Sequence, residues 1–194
     1  MNIFFLDKDP YRAALALCDK HIPKMLLESC QMLSTAVRRY EEDTGTAPLQ
    51  APIYKSAYKN HPMTRWVGET RGNFKWALEN AVYINHQYEQ RFNKDHKSFA
   101  VIENIYNFDL DAHIPDGTFT TPPQCMPDEY KHKNYVTAYR QYYVGAKTFA
   151  KWEKGVFKPE WYEKIKNKIE TLKEKTRQAS LTRTTNQKGF AYSS

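Results

Sequence analysis

The stretch Cys18–Tyr40, CDKHIPKMLLESCQMLSTAVRRY, decides the fold class of this chain. At about 100° per residue, its apolar side chains gather on one side of a helix. They are Ile22, Met25, Leu26, Cys30, Met32, Leu33, Ala36 and Val37. The opposite side carries a polar stripe, formed by His21, Lys24, Glu28, Gln31, Thr35 and Arg39. Two interpretations stay open: the wall of a polar site, or a solvated helix face with a weak Lys24–Glu28 pair.

Upstream of this stretch the pattern predicts a short buried strand and a helix. Ile3–Leu6 is an apolar run of strand length. Asp9 followed by Pro10 is typical of a helix start, and we expect that helix to reach Cys18. Pro23 has no N–H to donate, so the chain either kinks there or ends one helix and restarts with Pro23 in the first turn of the next.

Downstream, the helical period ends near Tyr40 and a loop follows. A long helix over Met63–Phe92 contains Gly68 and Gly72, which favour close approach of another backbone. On its polar face, Trp76 and Tyr83 indicate a second packed surface or a ligand-stacking one. Further predicted helices are one capped by Asp95 and reaching Tyr106, one from Tyr135, and one over Pro159–Ser180.

These elements predict a mainly α-helical single domain with at most one short β element. The domain covers residues 1–158, a basic Lys/Glu-rich helix covers 159–180, and 181–194 form a mobile tail. The net charge is +7, but +6 of it lies in residues 151–194, so polyanion binding by charge concerns the C-terminal segment first. Three cysteines without a CxxC pair predict free thiols in the cytoplasm, and no apolar run is long enough to span a membrane.

Two further groups of polar residues suit ligand binding. Lys59, Asn60 and His61, with Arg65 and Trp66, lie near a predicted helix start and suit a phosphate or carboxylate, although a basic loop with a capped helix fits as well. The second group is a proline-stiffened loop, residues 121–131, carrying Gln124, Asp128 and Lys131. We find no motif for a metal, a dinucleotide or a P-loop phosphate.

Several stretches together resemble a small family of uncharacterised proteins from tailed phages and some bacteria. They are LDKDP (6–10), CDKHIPKM (18–25), KNHP (59–62), PQCMPDEYK (123–131) and YRQYY (139–143). The resemblance covers residues 1–158 and implies no activity. The positions that match are Asp19, Lys20, His21, Lys24, Glu28, Gln31, Lys59, Asn60, His61, Trp66, Trp76, Gln124, Met126, Asp128, Glu129, Tyr130, Lys131, Tyr139, Arg140, Tyr142 and Lys147. Pro23, Val37, Ala57 and Gly72 depart from the family pattern.

From the residues we expect a metal-independent and cofactor-independent enzyme that acts on nucleotides or DNA bases by acid/base chemistry. The resemblance implies a phage setting. The expected catalytic residues are Glu28, His21 and His61. The expected substrate-binding residues are Lys24, Gln31, Lys59, Asn60, Arg65, Trp66, Gln124, Asp128, Lys131 and Arg140. The alternative is a non-catalytic protein that binds nucleic acid or a host protein through the basic C-terminal extension. A homo-oligomer held by Tyr-rich faces is a third interpretation.

Overall fold

The fold was taken from a computed structural model that describes residues 1–107 and 109–190, without the side chains of Leu110 and of residues 181–190. All regular secondary structure in these ranges is helical, which confirms a mainly α single domain. The helices are α1 (Pro10–Leu15), α2 (His21–Thr44), α3 (Pro62–Glu69), α4 (Arg71–Phe92), α5 (Phe99–Tyr106), α6 (Leu110–His113), α7 (Tyr135–Ala146) and α8 (Glu160–Phe190). A single 3₁₀ turn, Asp128–Tyr130, precedes α7.

Helix α2 is the centre of the core, as its sequence predicts. Its predicted apolar side chains are all buried, and they pack against α3, α4 and α5. Helix α1 packs on α4, and α8 packs on α7. Since burying an apolar face is what stabilises a helix of this kind, α2 organises the chain around it.

The N-terminal segment enters the core without forming the predicted strand. The side chains of residues 3–6 are buried, but the segment has no ladder partner among the described residues. Its backbone is satisfied by long-range contacts instead: Glu28 accepts from the Asn2 N–H, and Arg140 donates to the Leu6 carbonyl. The prediction that Ile3–Leu6 is buried is therefore confirmed, and the prediction that it forms a strand is wrong.

Helix α1 ends at Leu15, three residues before the predicted end. Asp9 does cap its start, accepting from the Arg12 N–H. Beyond the helix, the Arg91 guanidinium donates to the carbonyls of Leu15 and Leu17. Because these donors come from α4, no local sequence pattern predicts the end of α1. Helix α2 then restarts at His21 with Pro23 in its first turn, the second of the two alternatives.

Two other helix boundaries differ from the prediction for identifiable reasons. Helix α2 continues to Thr44 and ends at Gly45, whose φ of 70° suits a glycine at a helix C-terminus. The predicted helix over Met63–Phe92 is broken at Thr70, which is extended and whose hydroxyl caps α4 by accepting from the Asn73 N–H. The break leaves the N–H groups of Arg71 and Gly72 to donate to the carbonyls of Pro115 and Gly117.

Of the remaining boundaries, the start of α7 agrees with the prediction, while the start of α5 and the end of α8 differ from it. Helix α5 begins after Ser98 rather than at a cap formed by Asp95. Helix α7 begins at Tyr135 as predicted, with the Asn134 side chain accepting from the Thr137 N–H. Helix α8 continues beyond Ser180 to residue 190, and the last residues of the predicted tail, 191–194, lie outside the described residues.

Candidate functional site

A small cavity lies where the N-terminal segment, the first turns of α2 and the end of α7 meet. Its volume is about 180 Å³. It is lined by Met1, Asn2, Phe4, His21, Lys24, Met25, Glu28, Cys125, Tyr142 and Lys147. His21, Lys24 and Glu28 were all predicted as site residues, and their spacing on α2 places them on one side of the helix. We call this the His21 cavity.

His21 is the most deeply buried polar group of the cavity, with 3% of its surface exposed. Its Nδ1 lies 2.7 Å from the Tyr143 hydroxyl, and its ring stacks on Phe4 at 4.9 Å between ring centroids. Burial lowers the pKa of His21 from 6.5 to about 4, and the nearby charges of Lys147 and two other lysines act in the same direction. His21 is therefore neutral at neutral pH.

Lysine ammonium groups surround this neutral imidazole. Lys147 Nζ is 3.2 Å from the Tyr142 hydroxyl and 4.6 Å from the centre of the Tyr142 ring. Lys24 is well exposed at the mouth of the cavity, and Lys20 Nζ lies 4.7 Å from the centre of the Phe149 ring. Three positive charges around an uncharged hydrogen-bonding ring favour an anionic ligand.

Glu28 supplies the carboxylate of the cavity and also holds the N-terminal segment. Its Oε2 accepts from the Asn2 N–H at 2.9 Å and lies 3.7 Å from the Met1 amino nitrogen. Its Oε1 lies 3.8 Å from Lys24 Nζ. Oε2 is thus occupied by contacts that hold the N-terminal segment, while Oε1 faces the exposed Lys24 and is the oxygen available for proton transfer.

His61, the third predicted catalytic residue, does not line the cavity but lies within electrostatic reach of Glu28. Its Nδ1 accepts from the Met63 N–H at 3.2 Å, which caps α3. Partial burial and then the Met1 amino group lower the pKa of His61, while Glu28 opposes the effect. The structure therefore gives His61 a capping role next to the cavity.

The predicted binding residues near α3 form a separate, open groove of about 580 Å³. Asn60, Arg65 and Trp66 line it. Trp66 is 2% exposed and its indole N–H donates to the Thr120 carbonyl, so its ring faces are covered by the core. Lys59 instead pairs with Glu42 at 2.6 Å, which leaves it outside both sites.

The predicted residues of the 121–131 loop make local contacts. The Gln124 amide donates to the His132 carbonyl and accepts from its N–H, which closes the loop. Asp128 and Lys131 form an exposed pair at 2.6 Å, and the hydrogen bond from Lys131 lowers the pKa of Asp128. Only Cys125 of this loop reaches the His21 cavity.

The other predicted side chains connect segments of the fold. Arg140 donates to the Leu6 carbonyl at 2.7 Å and lies 3.1 Å from Asp7. Further along the stripe, Gln31 is half-buried, and the Thr35 hydroxyl accepts from the Ala57 N–H at 3.0 Å. The stripe is therefore largely covered by other segments, which rules out a freely solvated face for its buried members.

Sequence reasoning missed the contribution of α7 to the cavity. Tyr142 and Lys147 were noted only as positions shared with the resembled family, and Tyr143 was not singled out. The only local signal is two adjacent tyrosines followed by a lysine on a predicted helix. Two of these side chains line the cavity and the third bonds to His21, a convergence that depends on contacts across more than a hundred residues.

Comparison of the chain with protein-family models, characterised proteins and solved structures finds no match. The resemblance to the phage family therefore stays a prediction. In the part of the chain that the structure describes, no three His, Cys, Asp or Glu side chains are grouped to hold a metal ion. Among the described helices, none combines the length and the apolarity that a membrane crossing requires.

Proposed function

We propose that the His21 cavity binds the phosphate group of a nucleotide and that the protein is an enzyme using Glu28 for proton transfer. The observation that carries this proposal is the convergence of Lys24, Lys147 and a neutral His21 beside one carboxylate. Ammonium groups neutralise phosphate charge, and a carboxylate next to a bound anion is suited to general acid/base chemistry. In this proposal the lysines, not a metal ion, balance the charge.

The size of the cavity limits which part of a ligand enters. A volume of about 180 Å³ accommodates a phosphate group, whereas cavities that bury a whole drug-sized ligand measure roughly 300–1,000 Å³. The nucleoside would therefore lie at the mouth. Phe149 contacts the His21 ring edge-on at 5.2 Å and is 41% exposed, so in this proposal its ring stacks the base.

A binding experiment tests the first part of the proposal, that the cavity binds the phosphate group of a nucleotide. Isothermal titration would compare a nucleoside monophosphate, the matching nucleoside and inorganic phosphate. We expect the monophosphate to bind most tightly and Lys147→Met to weaken it by about 10- to 100-fold, because a charge-assisted hydrogen bond is lost. Lys97→Met, at an exposed lysine on another surface, is the control. Equal affinity for nucleoside and monophosphate would contradict the proposal.

A turnover assay tests the second part of the proposal, proton transfer by Glu28. A panel of nucleotides incubated with the protein would be followed by NMR, and conversion should disappear in Glu28→Gln. Glutamine is uncharged and interacts with Lys24 more weakly than the carboxylate does. Nucleotide affinity and the unfolding midpoint are therefore measured as well, to separate lost catalysis from lost binding or folding. A folded Glu28→Gln protein with full activity would exclude Glu28 as the acid/base.

A second candidate function, nucleic-acid binding, rests on one observation in α8. Lys166, Lys173 and Arg177 form a row along the helix, are exposed, and make no ion pair with the described residues. The test is a salt titration of duplex DNA binding by the full chain and by the variant with all three changed to Gln. Loss of binding together with a shallower salt slope supports this function, and an unchanged slope refutes it.

The phage setting, the cytoplasmic location and self-association remain predictions. The first depends on the resemblance and the second on the unpaired thiols, while native mass in solution decides the third. All three cysteines are free in the structure.

A further inference from the structure

The hydroxyl of Tyr143 lies between two groups of the α1–α2 connection. It accepts a hydrogen bond from the Cys18 N–H at 2.9 Å and lies 2.7 Å from His21 Nδ1. Tyr143 is fully buried. This hydroxyl is therefore closed off from water, and its proton has to find an acceptor within the protein.

Counting donors and acceptors fixes the direction of the second hydrogen bond. A backbone N–H can only donate, so Cys18 uses an acceptor position of the hydroxyl oxygen. Two acceptors of the described residues lie near the hydroxyl proton, His21 Nδ1 and the Cys18 thiol sulfur. A thiol sulfur is a weak acceptor, so the imidazole nitrogen at 2.7 Å is the preferred one. If Nδ1 carried a proton, the buried hydroxyl proton would have only the weak thiol acceptor left.

We propose that Tyr143 is a positioning residue that holds His21 as a neutral imidazole with its proton on Nε2. Nε2 makes no hydrogen bond within the described part of the chain, and the ring lines the cavity. His21 thus presents an N–H donor to the ligand rather than a basic nitrogen. It accepts no proton from the substrate, which leaves that role to Glu28.

This assignment names the ligand chemistry of the cavity, and in that respect it rests on the proposed function. A fixed N–H flanked by the ammonium groups of Lys24 and Lys147 is complementary to an oxyanion that accepts hydrogen bonds. A phosphate monoester and a small carboxylate share this chemistry. The tautomer itself depends only on the contacts of Tyr143.

The test is a long-range ¹H–¹⁵N correlation spectrum of the full chain with ¹⁵N-labelled histidine at neutral pH. His21→Gln assigns the His21 signals. We expect a single neutral His21 species with the proton on Nε2. Observation of the Nδ1–H tautomer, or of the imidazolium, in the unmodified protein overturns the proposal without any need for a variant.

Variants separate positioning from general packing. Tyr143→Phe removes the hydroxyl, and we expect the Nδ1–H form of His21 to appear beside the Nε2–H form. Tyr139→Phe is the matched control, because Tyr139 is equally buried in α7 but its hydroxyl donates to the Pro123 carbonyl. Identical tautomer populations in Tyr143→Phe and the unmodified protein would overturn the role of Tyr143.

Inorganic phosphate and acetate are then added separately to the labelled protein. A shift of the His21 Nε2 signals with phosphate alone identifies a phosphate site, and a shift with acetate alone identifies a carboxylate site. If the tautomer is fixed but neither anion shifts the signals, the oxyanion assignment and the proposed function both fail, while the positioning role of Tyr143 stands.

Discussion

Acid should destabilise this protein through His21. The native structure keeps this imidazole neutral, lowering its pKa from 6.5 to about 4 through burial and the surrounding lysines. The unfolded chain has no such environment, so its imidazole takes up a proton at higher pH than the folded one. The contribution of His21 to stability is therefore complete above pH 6.5 and is lost as the pH falls towards about 4.

The size of the effect follows from the difference between the two pKa values. Each pKa unit corresponds to about 1.4 kcal/mol. A fall from 6.5 to about 4 thus amounts to about 3 kcal/mol of stability lost across this range. His21 is 3% exposed, so solvent screening does not reduce this value greatly. A loss of this size is a large part of the free energy of unfolding of a typical domain, about 5–15 kcal/mol.

Urea unfolding between pH 4 and pH 7 measures this contribution. Carboxylates also titrate in this range, so the informative quantity is the difference between the unmodified protein and His21→Gln. We expect the free energy of unfolding to fall by about 3 kcal/mol more in the unmodified protein than in His21→Gln. His86→Gln, at an exposed histidine, should follow the unmodified protein. Parallel curves for the unmodified protein and His21→Gln would refute the neutral, buried state of His21.

Two further predictions concern stability. Arg91→Met should lower the free energy of unfolding by about 3–5 kcal/mol, because it leaves the buried Asp19 carboxylate without the partner 3.1 Å away; a loss below about 1 kcal/mol in urea unfolding would contradict this. Gly72→Ala should cost about 1–3 kcal/mol or more, since an added Cβ would lie 2.2 Å from the Phe119 backbone nitrogen. Gly68→Ala, where the Cβ would meet a side-chain carbon at 3.1 Å, should cost less, and equal losses in the two variants would contradict the comparison.

The sequence was most informative where structure is decided within a few turns of helix. The apolar face of α2 is buried residue by residue as its period predicts. Close approach of another backbone was predicted at Gly68 and Gly72. It is confirmed at Gly72 by the Phe119 backbone, while at Gly68 the nearest atom is the side-chain carbon of Ala36. On the polar face of α4, Trp76 stacks on Phe5 and donates to the Lys8 carbonyl, so the face forms a second packed surface.

Sequence reasoning failed where a distant donor or acceptor ends an element. The α3–α4 break depends on carbonyls of Pro115 and Gly117, which no local pattern places next to Arg71 and Gly72. Thr70 caps α4 by accepting from the Asn73 N–H, a role that the continuous helical period does not indicate. The end of α1 depends in the same way on Arg91 from α4.

The same contrast between contacts within one helix and contacts with distant residues applies to the candidate site. His21, Lys24 and Glu28 were predictable as a group because one helix face brings them together. The expectation that Lys59–Pro62 and Gln124–Lys131 join them depends on tertiary structure. Of these two segments, only Cys125 lines the His21 cavity, while Asn60 and Pro62 line the separate groove. Tyr143 is 122 residues away from His21 in the sequence, so their contact could not be predicted from spacing.

One buried network connects the fold to the chemistry of the cavity. Arg91 donates to the Leu17 carbonyl and pairs with Asp19, and the Asp19 N–H donates to the Lys151 carbonyl. Cys18 lies between these two held residues, so the direction of its N–H is fixed by contacts on both sides. That N–H donates to the hydroxyl oxygen of Tyr143, and the phenolic proton is then donated to His21 Nδ1. The connection between α1 and α2 is therefore held by contacts with α4, α7 and Lys151 in addition to its local backbone hydrogen bonds, and the contact with α7 is the one that determines which nitrogen of His21 carries the proton.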